Sequence, residues 1–228
     1  TGLVDHGKEK LVTVDGKEIR AKVVIITTGA EPSKLGVPGE IEFTGRGVSY
    51  CATCDGAFFR EVPVAIIGGG DTAAEEALFL SRFASKVYMV HRRDELRATK
   101  VLQDRIFANE KIEMVWNSVV EAAVGDNTGL TSLTLKNRKD DSQQALEVVG
   151  MFVAVGVTPK AHFLADILDL DPEGYILADS DCHTSMPGVF AAGDVRKKIL
   201  KQIATAVGDG AIAAIVAEKY LDDLEHSV

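Results

Sequence analysis

The sequence predicts an α/β protein in which one strand-helix-strand-helix unit is inserted between two pieces of a second, incomplete α/β domain. Three observations carry this. Near the start, Val23-Val24-Ile25-Ile26 is a continuous β-branched run of the kind buried on both faces of a sheet. From Pro63 the pattern becomes strand, glycine turn, helix, strand, helix. After Gly156-Val157-Thr158-Pro159 the composition turns to loops, one further short strand and a closing helix. The expected boundaries are residues 1–31 and 161–228 for the outer domain and 32–160 for the insert.

Taken in order, Lys10 to Val14, the pair Asp15-Gly16 and Glu18 to Ala21 predict a β-hairpin, because Asp-Gly suits a tight I′ turn. The β-branched run follows and ends at Thr27-Thr28-Gly29-Ala30; Glu31 to Gly39, with Pro32 and Pro38, is a loop. The insert then predicts a strand over Val64 to Ile67, a helix over Asp71 to Ala84, a strand over Lys86 to Val90 and a helix around Arg97 to Ala108. Residues 112–149 are expected as short strands with polar turns at Gly125-Asp126-Asn127 and Lys136 to Ser142, and Met151 to Val155 as a returning buried strand. Val189-Phe190-Ala191 is the last strand. Gln202 to Leu221 is the closing helix, with Ala204, Val207, Ala211 and Ala214 on one face.

Composition bounds the function. With 228 residues, 46% hydrophobic and 26% charged, the chain can build a packed core for one large or two modest domains. Its 34 acidic against 25 basic residues give a formal charge of -9, the wrong sign for a phosphate-backbone binder, so nucleic acid is not an expected partner. No apolar run approaches the ~18–20 residues that span a bilayer, and the first residues are charged rather than signal-like, so no membrane partner is expected and the expected location is cytoplasmic.

The chemistry concentrates in three short segments. Gly68-Gly69-Gly70-Asp71-Thr72-Ala73 follows a strand and opens a helix. Gly68 allows the tight turn, Gly70 lets the backbone approach a pyrophosphate, Ala73 permits close packing, and phosphate sits on the helix N-terminus. A bare glycine turn also occurs in α/β proteins that bind no nucleotide, so the next segment decides. Where an NAD-binding unit carries an acid for the ribose 2′-hydroxyl, about twenty residues on, this chain has His91-Arg92-Arg93, with Arg97 four residues later. Guanidinium forks there suit a 2′-phosphate, which makes NADPH the expected cofactor rather than NADH.

The third segment is Cys51-Ala52-Thr53-Cys54-Asp55. Two intervening residues let the sulfurs meet, so the pair can cycle between dithiol and disulfide. Half a zinc site is the alternative, but four ligands are needed, and Cys182 and His183 are adjacent to each other and distant in sequence. Asp55 can serve as the acid that protonates a departing thiolate, or equally as a turn or capping aspartate before Gly56.

Together, Tyr50 to Gly56, Gly68 to Thr72 with Glu75-Glu76-Ala77, and His91-Arg92-Arg93-Asp94 resemble the low-molecular-weight, bacterial-type thioredoxin reductases. The similarity runs on through Phe152 to Pro159 and Thr184 to Asp194. The resemblance implies the pyridine nucleotide-disulfide oxidoreductase type of fold, a Rossmann-like NADPH-binding domain with the redox pair inserted into an FAD-binding domain. It also implies electron flow from NADPH through FAD and the cysteine pair to thioredoxin, and a homodimer. By position it makes Cys51 the cysteine that attacks thioredoxin, Cys54 the one facing the flavin and Asp55 the acid. It adds Gly156 to the NADPH contacts and assigns Thr28, Gly29, Ala30, Gly193, Asp194, Lys201, Gln202 and Ile203 to FAD; at Lys201 the family more often has arginine. The front of such a protein should supply a strand, a GxGxxG turn and a helix for the ADP half of FAD. No such segment is present, so weak or absent FAD binding is expected of this chain. Two other readings stand beside this one. One is a flavin-free NADPH-binding module; the other is the flavoprotein reductase of a peroxide-reducing system, against which His91-Arg92-Arg93 and Ala52-Thr53 argue.

Overall fold

The computed structural model describes residues 2–226. In chain order its elements begin with β1 (Gly2–His6), β2 (Glu9–Val14), β3 (Lys17–Ala21), β4 (Val24–Ile26) and β5 (Ala30–Pro32). They continue with β6 (Val48–Ser49), α1 (Ala52–Asp55), β7 (Pro63–Ile67), α2 (Asp71–Leu80), β8 (Lys86–Val90), α3 (Lys100–Phe107) and β9 (Ile112–Val115). Then come β10 (Ser118–Asp126), β11 (Gly129–Asn137), β12 (Gln143–Glu147), β13 (Gly150–Val153), β14 (Val157–Pro159), β15 (Val189–Ala191) and α4 (Ile203–His226). The chain divides into two compact units, Thr1–Glu31 with Val157–Val228, and Pro32–Gly156.

The continuous unit is built on a five-stranded sheet of order β6-β13-β7-β8-β9, parallel throughout. A parallel sheet needs cover on both faces, and the period-two alternation of β7 divides its side chains between two layers. Val64 and Ile66 pack with Ala73, Ala74, Ala77 and Leu80 of α2 and with Leu102 and Ile106 of α3. Ala65 and Ile67 pack on the other side with Val120, Leu133 and Leu135 of the antiparallel sheet β10-β11-β12. The alanines of α2 let that helix lie close to the strands, which seats the glycine turn at its head. The cover sheet differs from expectation: β10 and β11 are nine residues each, not short. Register shifts between Val120 and Ala122 and between Val124 and Gly125 break their alternation, which is why the sequence hid one long hairpin.

In the discontinuous unit, β1-β2-β3 is an antiparallel meander. Asp15 (φ 49°) and Gly16 (φ 76°) are both left-handed, as a I′ turn requires. β15 pairs in parallel with β4, Val189 opposite Val24, over a core that includes Leu3, Ile26, Leu164 and Ile176. Val24 and Ile26 pack on this core and Val23 on the opposite layer with Phe190, but Ile25 is 39% exposed, so the run is not buried throughout as expected. The closing helix also turns a different face inward. Ala213 and Ala217 are buried against Phe190 and Cys182, whereas Ala204, Val207, Ala211 and Ala214 are exposed. An alanine-rich helix carries apolar residues on two stripes, and sequence periodicity cannot choose between them. Among the described residues no helix is long and apolar enough to cross a membrane.

Candidate active site

The redox turn grows from the edge strand of the parallel sheet. β6 delivers Ser49, and Cys51 follows in extended conformation (φ -149°, ψ 98°) as the N-cap of the one-turn helix α1. The two sulfurs are bonded to each other, with Cα atoms 5.3 Å apart. Among the described residues no group of three or more His, Cys, Asp or Glu is placed to share a metal. Ser49 ties the turn to Asp55: the Cys51 N–H donates to Ser49 Oγ (3.1 Å) and the Ser49 hydroxyl donates to Asp55 Oδ2 (2.6 Å). Asp55 therefore sits at the turn with its carboxylate held by a partly buried hydroxyl, and its N–H donates to the Cys51 carbonyl (3.1 Å).

Upstream, the fully buried Glu40 accepts from the N–H groups of Leu35 (2.9 Å) and Gly36 (2.7 Å) and from the Tyr50 hydroxyl (3.0 Å). Burial, with this carboxylate beside it, pushes the Tyr50 phenol up. Neither Ser49 nor Glu40 was singled out from sequence. A serine two residues before a CxxC and a glutamate ten before a tyrosine carry no local signal; only the fold brings them into contact.

The glycine turn leaves β7 as expected. At Gly68 (φ 156°) a Cβ would run into the Ala154 carbonyl and stand 2.7 Å from Ala73 Cβ, so only glycine fits. Gly70 is the N-cap of α2 and faces open space, its nearest neighbour there being the Arg97 Nη2 atom at 3.9 Å. Backbone N–H groups at the head of α2 are thus free of a capping side chain and have a guanidinium beside them, which is the donor set a pyrophosphate needs. A cavity of about 340 Å³ opens at this point, lined among others by Lys34, Gly68, Gly69, His91, Arg92 and Arg97.

The structure separates the roles within His91-Arg92-Arg93. Arg92, Arg93 and Arg97 are exposed, whereas the His91 ring is 5% exposed and packs beneath Gly69. Burial holds its pKa below the usual histidine range, and its Nε2 has no partner. Arg97 does not lie on a helix. Its N–H and that of Ala98 donate to the Gly69 carbonyl (2.7 and 3.1 Å), and Asp71 Oδ1 accepts from the Thr99 N–H (2.6 Å). These bonds fasten residues 91–99 to the glycine turn as a loop, and α3 starts only at Lys100. Asp71 thus serves the loop, and Thr72 is exposed on the other side of α2, on a cavity shared with Thr53. Asp94 pairs with Lys139 (3.0 Å), which holds its carboxyl below the usual range. Gly156 (φ 131°) presents its carbonyl to the Ser33 N–H (2.9 Å).

In the other unit, Gly29 (φ 72°) turns the chain after β4, and Thr28 Oγ1 donates to the Lys160 carbonyl (2.6 Å). Ala30 opens β5. Gly193 (φ 80°) donates its N–H to Asp209 Oδ2 (3.0 Å), which also accepts from Lys198 Nζ (2.8 Å). Burial opposes ionisation of Asp209, but these donors outweigh it and hold the carboxyl low. Next to it, Asp194 Oδ1 is buried with no hydrogen-bond partner among the described residues. Lys201 lies over the Tyr175 ring (4.0 Å), and burial lowers its pKa. Gln202 donates its N–H to Thr205 Oγ1 (3.2 Å), and Ile203 is 86% exposed.

A parallel sheet with a glycine turn at a helix head, arginines beside that turn and a disulfide in a CxxC turn has the features of a nucleotide-linked disulfide oxidoreductase. Residues 3–210 match the family described as pyridine nucleotide-disulphide oxidoreductase. Thioredoxin reductase of Listeria monocytogenes is 48% identical over 226 residues, which is 99% of this chain and 71% of that protein. The enzyme of Peptoclostridium litorale is 50% identical over 215 residues, 91% of this chain and 67% of its own. Among solved structures, thioredoxin reductase from Streptococcus pyogenes superposes with a TM-score of 0.95 at 47% identity, over 97% of this chain and 72% of that one. The chain belongs to the pyridine nucleotide-disulphide oxidoreductase family and, within it, to the thioredoxin reductases.

Proposed function

We propose that this chain serves an NADPH-dependent thioredoxin-disulfide reductase in which Cys51 and Cys54 are the redox pair. The observation that carries this is the placement, on one five-stranded sheet, of a CxxC disulfide at the head of α1 and a glycine turn fastened to an arginine cluster at the head of α2. Arg92, Arg93 and Arg97 would hold the 2′-phosphate and Gly68 to Gly70 the pyrophosphate. Gly29, Gly193 and Asp194, the last with its orphaned oxygen, are the residues that would hold FAD. When bound, FAD supplies the two-electron relay between nicotinamide and disulfide.

The chain's own residues do the rest. In the dithiol state Cys51, as thiolate, attacks a thioredoxin sulfur and forms a mixed disulfide while the other thioredoxin sulfur leaves as thiolate. Cys54 then attacks Cys51, restoring the Cys51–Cys54 bond and releasing the second thioredoxin thiolate. Asp55, held by Ser49, is the group placed to pass a proton to a leaving sulfur. A homodimer in the cytoplasm is the proposed assembly and location, checked by light scattering and by fractionation.

The test is an anaerobic assay of purified protein incubated with FAD, NADPH and thioredoxin. Thioredoxin thiols that appear only with NADPH and flavin support the reading. A colourless protein that binds NADPH and never reduces thioredoxin supports the alternative, a flavin-free nucleotide-binding module.

A further inference from the structure

One cation of the nucleotide cavity stands apart from the arginine cluster. Lys34 lines the cavity from the loop that follows β5, together with Arg92, Arg97 and the glycine turn. In a chain of net charge -9, no carboxylate lines this cavity among the described residues, so its three cations act together on whatever enters. Lys34 itself makes no ion pair or side-chain hydrogen bond among the described residues.

The backbone fixes where this lysine stands. On one side the Ser33 N–H donates to the Gly156 carbonyl (2.9 Å). On the other, the buried Glu40 carboxylate accepts the N–H groups of Leu35 (2.9 Å) and Gly36 (2.7 Å). Leu35 and Val37 pack on the core beneath, with Val90, Val120 and Val153. Lys34 is therefore the exposed member of a pinned segment rather than the tip of a free loop. Along the carboxyl ends of the strands, Gly156 follows β13, the glycine turn follows β7 and His91 to Arg93 follow β8, with β7 between the other two. The Lys34 segment is tied at the β13 end, whereas Arg92 and Arg93 leave the β8 end, so these charges flank the glycine turn from opposite sides.

We propose that Lys34 grips the nicotinamide-side phosphate of the dinucleotide, across the glycine turn from the 2′-phosphate. The role deepens the reductase reading and rests on its nucleotide assignment. A dinucleotide whose 2′-phosphate meets Arg92 and Arg93 beyond β8, and whose pyrophosphate lies on the glycine turn beyond β7, runs its other half toward β13. There the lysine ammonium meets the second phosphate as a compact charge, which needs no bidentate geometry. Lys34 thereby adds affinity for the whole dinucleotide and none for its adenosine half, and it leaves the choice between NADPH and NADH to the arginines.

The test is calorimetric titration of the full chain, wild type and Lys34→Met, with two redox-inert ligands. One is NADP+; the other is adenosine 2′,5′-bisphosphate, which carries the 2′-phosphate and the adenosine-side phosphate alone. In Lys34→Met the Kd for NADP+ is expected to rise about threefold to tenfold, between the loss of an exposed ion pair and that of a desolvated charged hydrogen bond. The Kd for the bisphosphate should stay within about twofold, which also reports that the variant is folded. Lys34→Arg keeps the cation and should bring NADP+ affinity back to within about twofold of wild type. Unchanged NADP+ affinity in Lys34→Met overturns the proposal. An equal loss for both ligands overturns it too, because the lysine would then act on the adenosine half or on the fold. A wild-type chain that binds neither ligand overturns the nucleotide assignment itself, and this role with it, a failure distinct from loss of the lysine contact.

Discussion

Gly69→Ala is the substitution that most sharply tests how the nucleotide turn is supported. Gly69 is outside the left-handed region, so alanine meets no backbone penalty there. The obstacle is behind it: the new Cβ would overlap Cε1 and Nδ1 of His91 and stand 2.7 Å from Nε2. That ring is buried, with Trp116 edge-on at 6.3 Å between centroids, so either the imidazole shifts or the turn lifts. Overpacking of this kind costs about 1–3 kcal/mol. At about 2–4 °C per kcal/mol for a chain of this size, Tm should fall by about 2–12 °C. Lifting the turn also pulls on Arg97 and Ala98 through the Gly69 carbonyl, so NADPH affinity should fall with stability. Denaturant unfolding of wild type, Gly69→Ala, His91→Ala and the double variant isolates the cause. With the ring gone the extra methyl has room, so the double variant should be more stable than the sum of the two losses predicts, by about 1 kcal/mol or more. Losses that add to within about 0.5 kcal/mol would refute the reasoning.

Four further outcomes are expected. Cys54→Ser should abolish thioredoxin reduction while leaving NADPH affinity, measured by calorimetry, unchanged; weakened affinity would show the redox turn to be part of the nucleotide site. Arg92→Ala with Arg93→Ala should shift preference from NADPH toward NADH in competitive binding, and an unchanged ratio would remove these arginines from the 2′-phosphate site. Glu40→Ala should cost on the order of 1–3 kcal/mol in denaturant unfolding, because the Leu35 and Gly36 amides and the Tyr50 hydroxyl lose their acceptor. Glu76 predicts a pH trend as well. Its folded pKa is raised from 4.5 to about 7, so the folded state binds the proton more tightly, the associated stability is present below pH 4.5, and it is lost as pH rises toward 7. Stability relative to Glu76→Gln should therefore decline across that window, and a difference independent of pH would contradict it.

The parts of the fold that sequence disclosed are those whose cause is local. β8, Lys86–Val90, and β15, Val189–Ala191, coincide with apolar runs bounded by turn residues, and the head of α2 coincides with the glycine turn. What sequence could not disclose depends on partners distant in the chain. Arg97 lies in a loop held to the glycine turn by the Gly69 carbonyl and the Asp71 carboxylate, acceptors almost thirty residues away in the chain. The inward face of α4 is chosen by Phe190 and Cys182. The candidate site divides the same way. Cys51, Cys54 and the arginines announce themselves by spacing. The hydroxyl of Ser49 and the carboxyl of Glu40 acquire meaning only when strand and loop bring them to Cys51, Asp55 and Tyr50. His91 belongs to both groups: its position was legible, but its place beneath Gly69 was not.

In the proposed reductase, electrons from NADPH reach the Cys51–Cys54 disulfide. The most direct measurement is anaerobic titration of the FAD-loaded protein with NADPH, following the flavin band and quantifying alkylated Cys51 and Cys54 at each step. Two new thiols are expected, confined to these cysteines, and they disappear with recovery of the disulfide on addition of oxidised thioredoxin. NADPH that reduces the bound flavin and leaves both cysteines disulfide-bonded would contradict it.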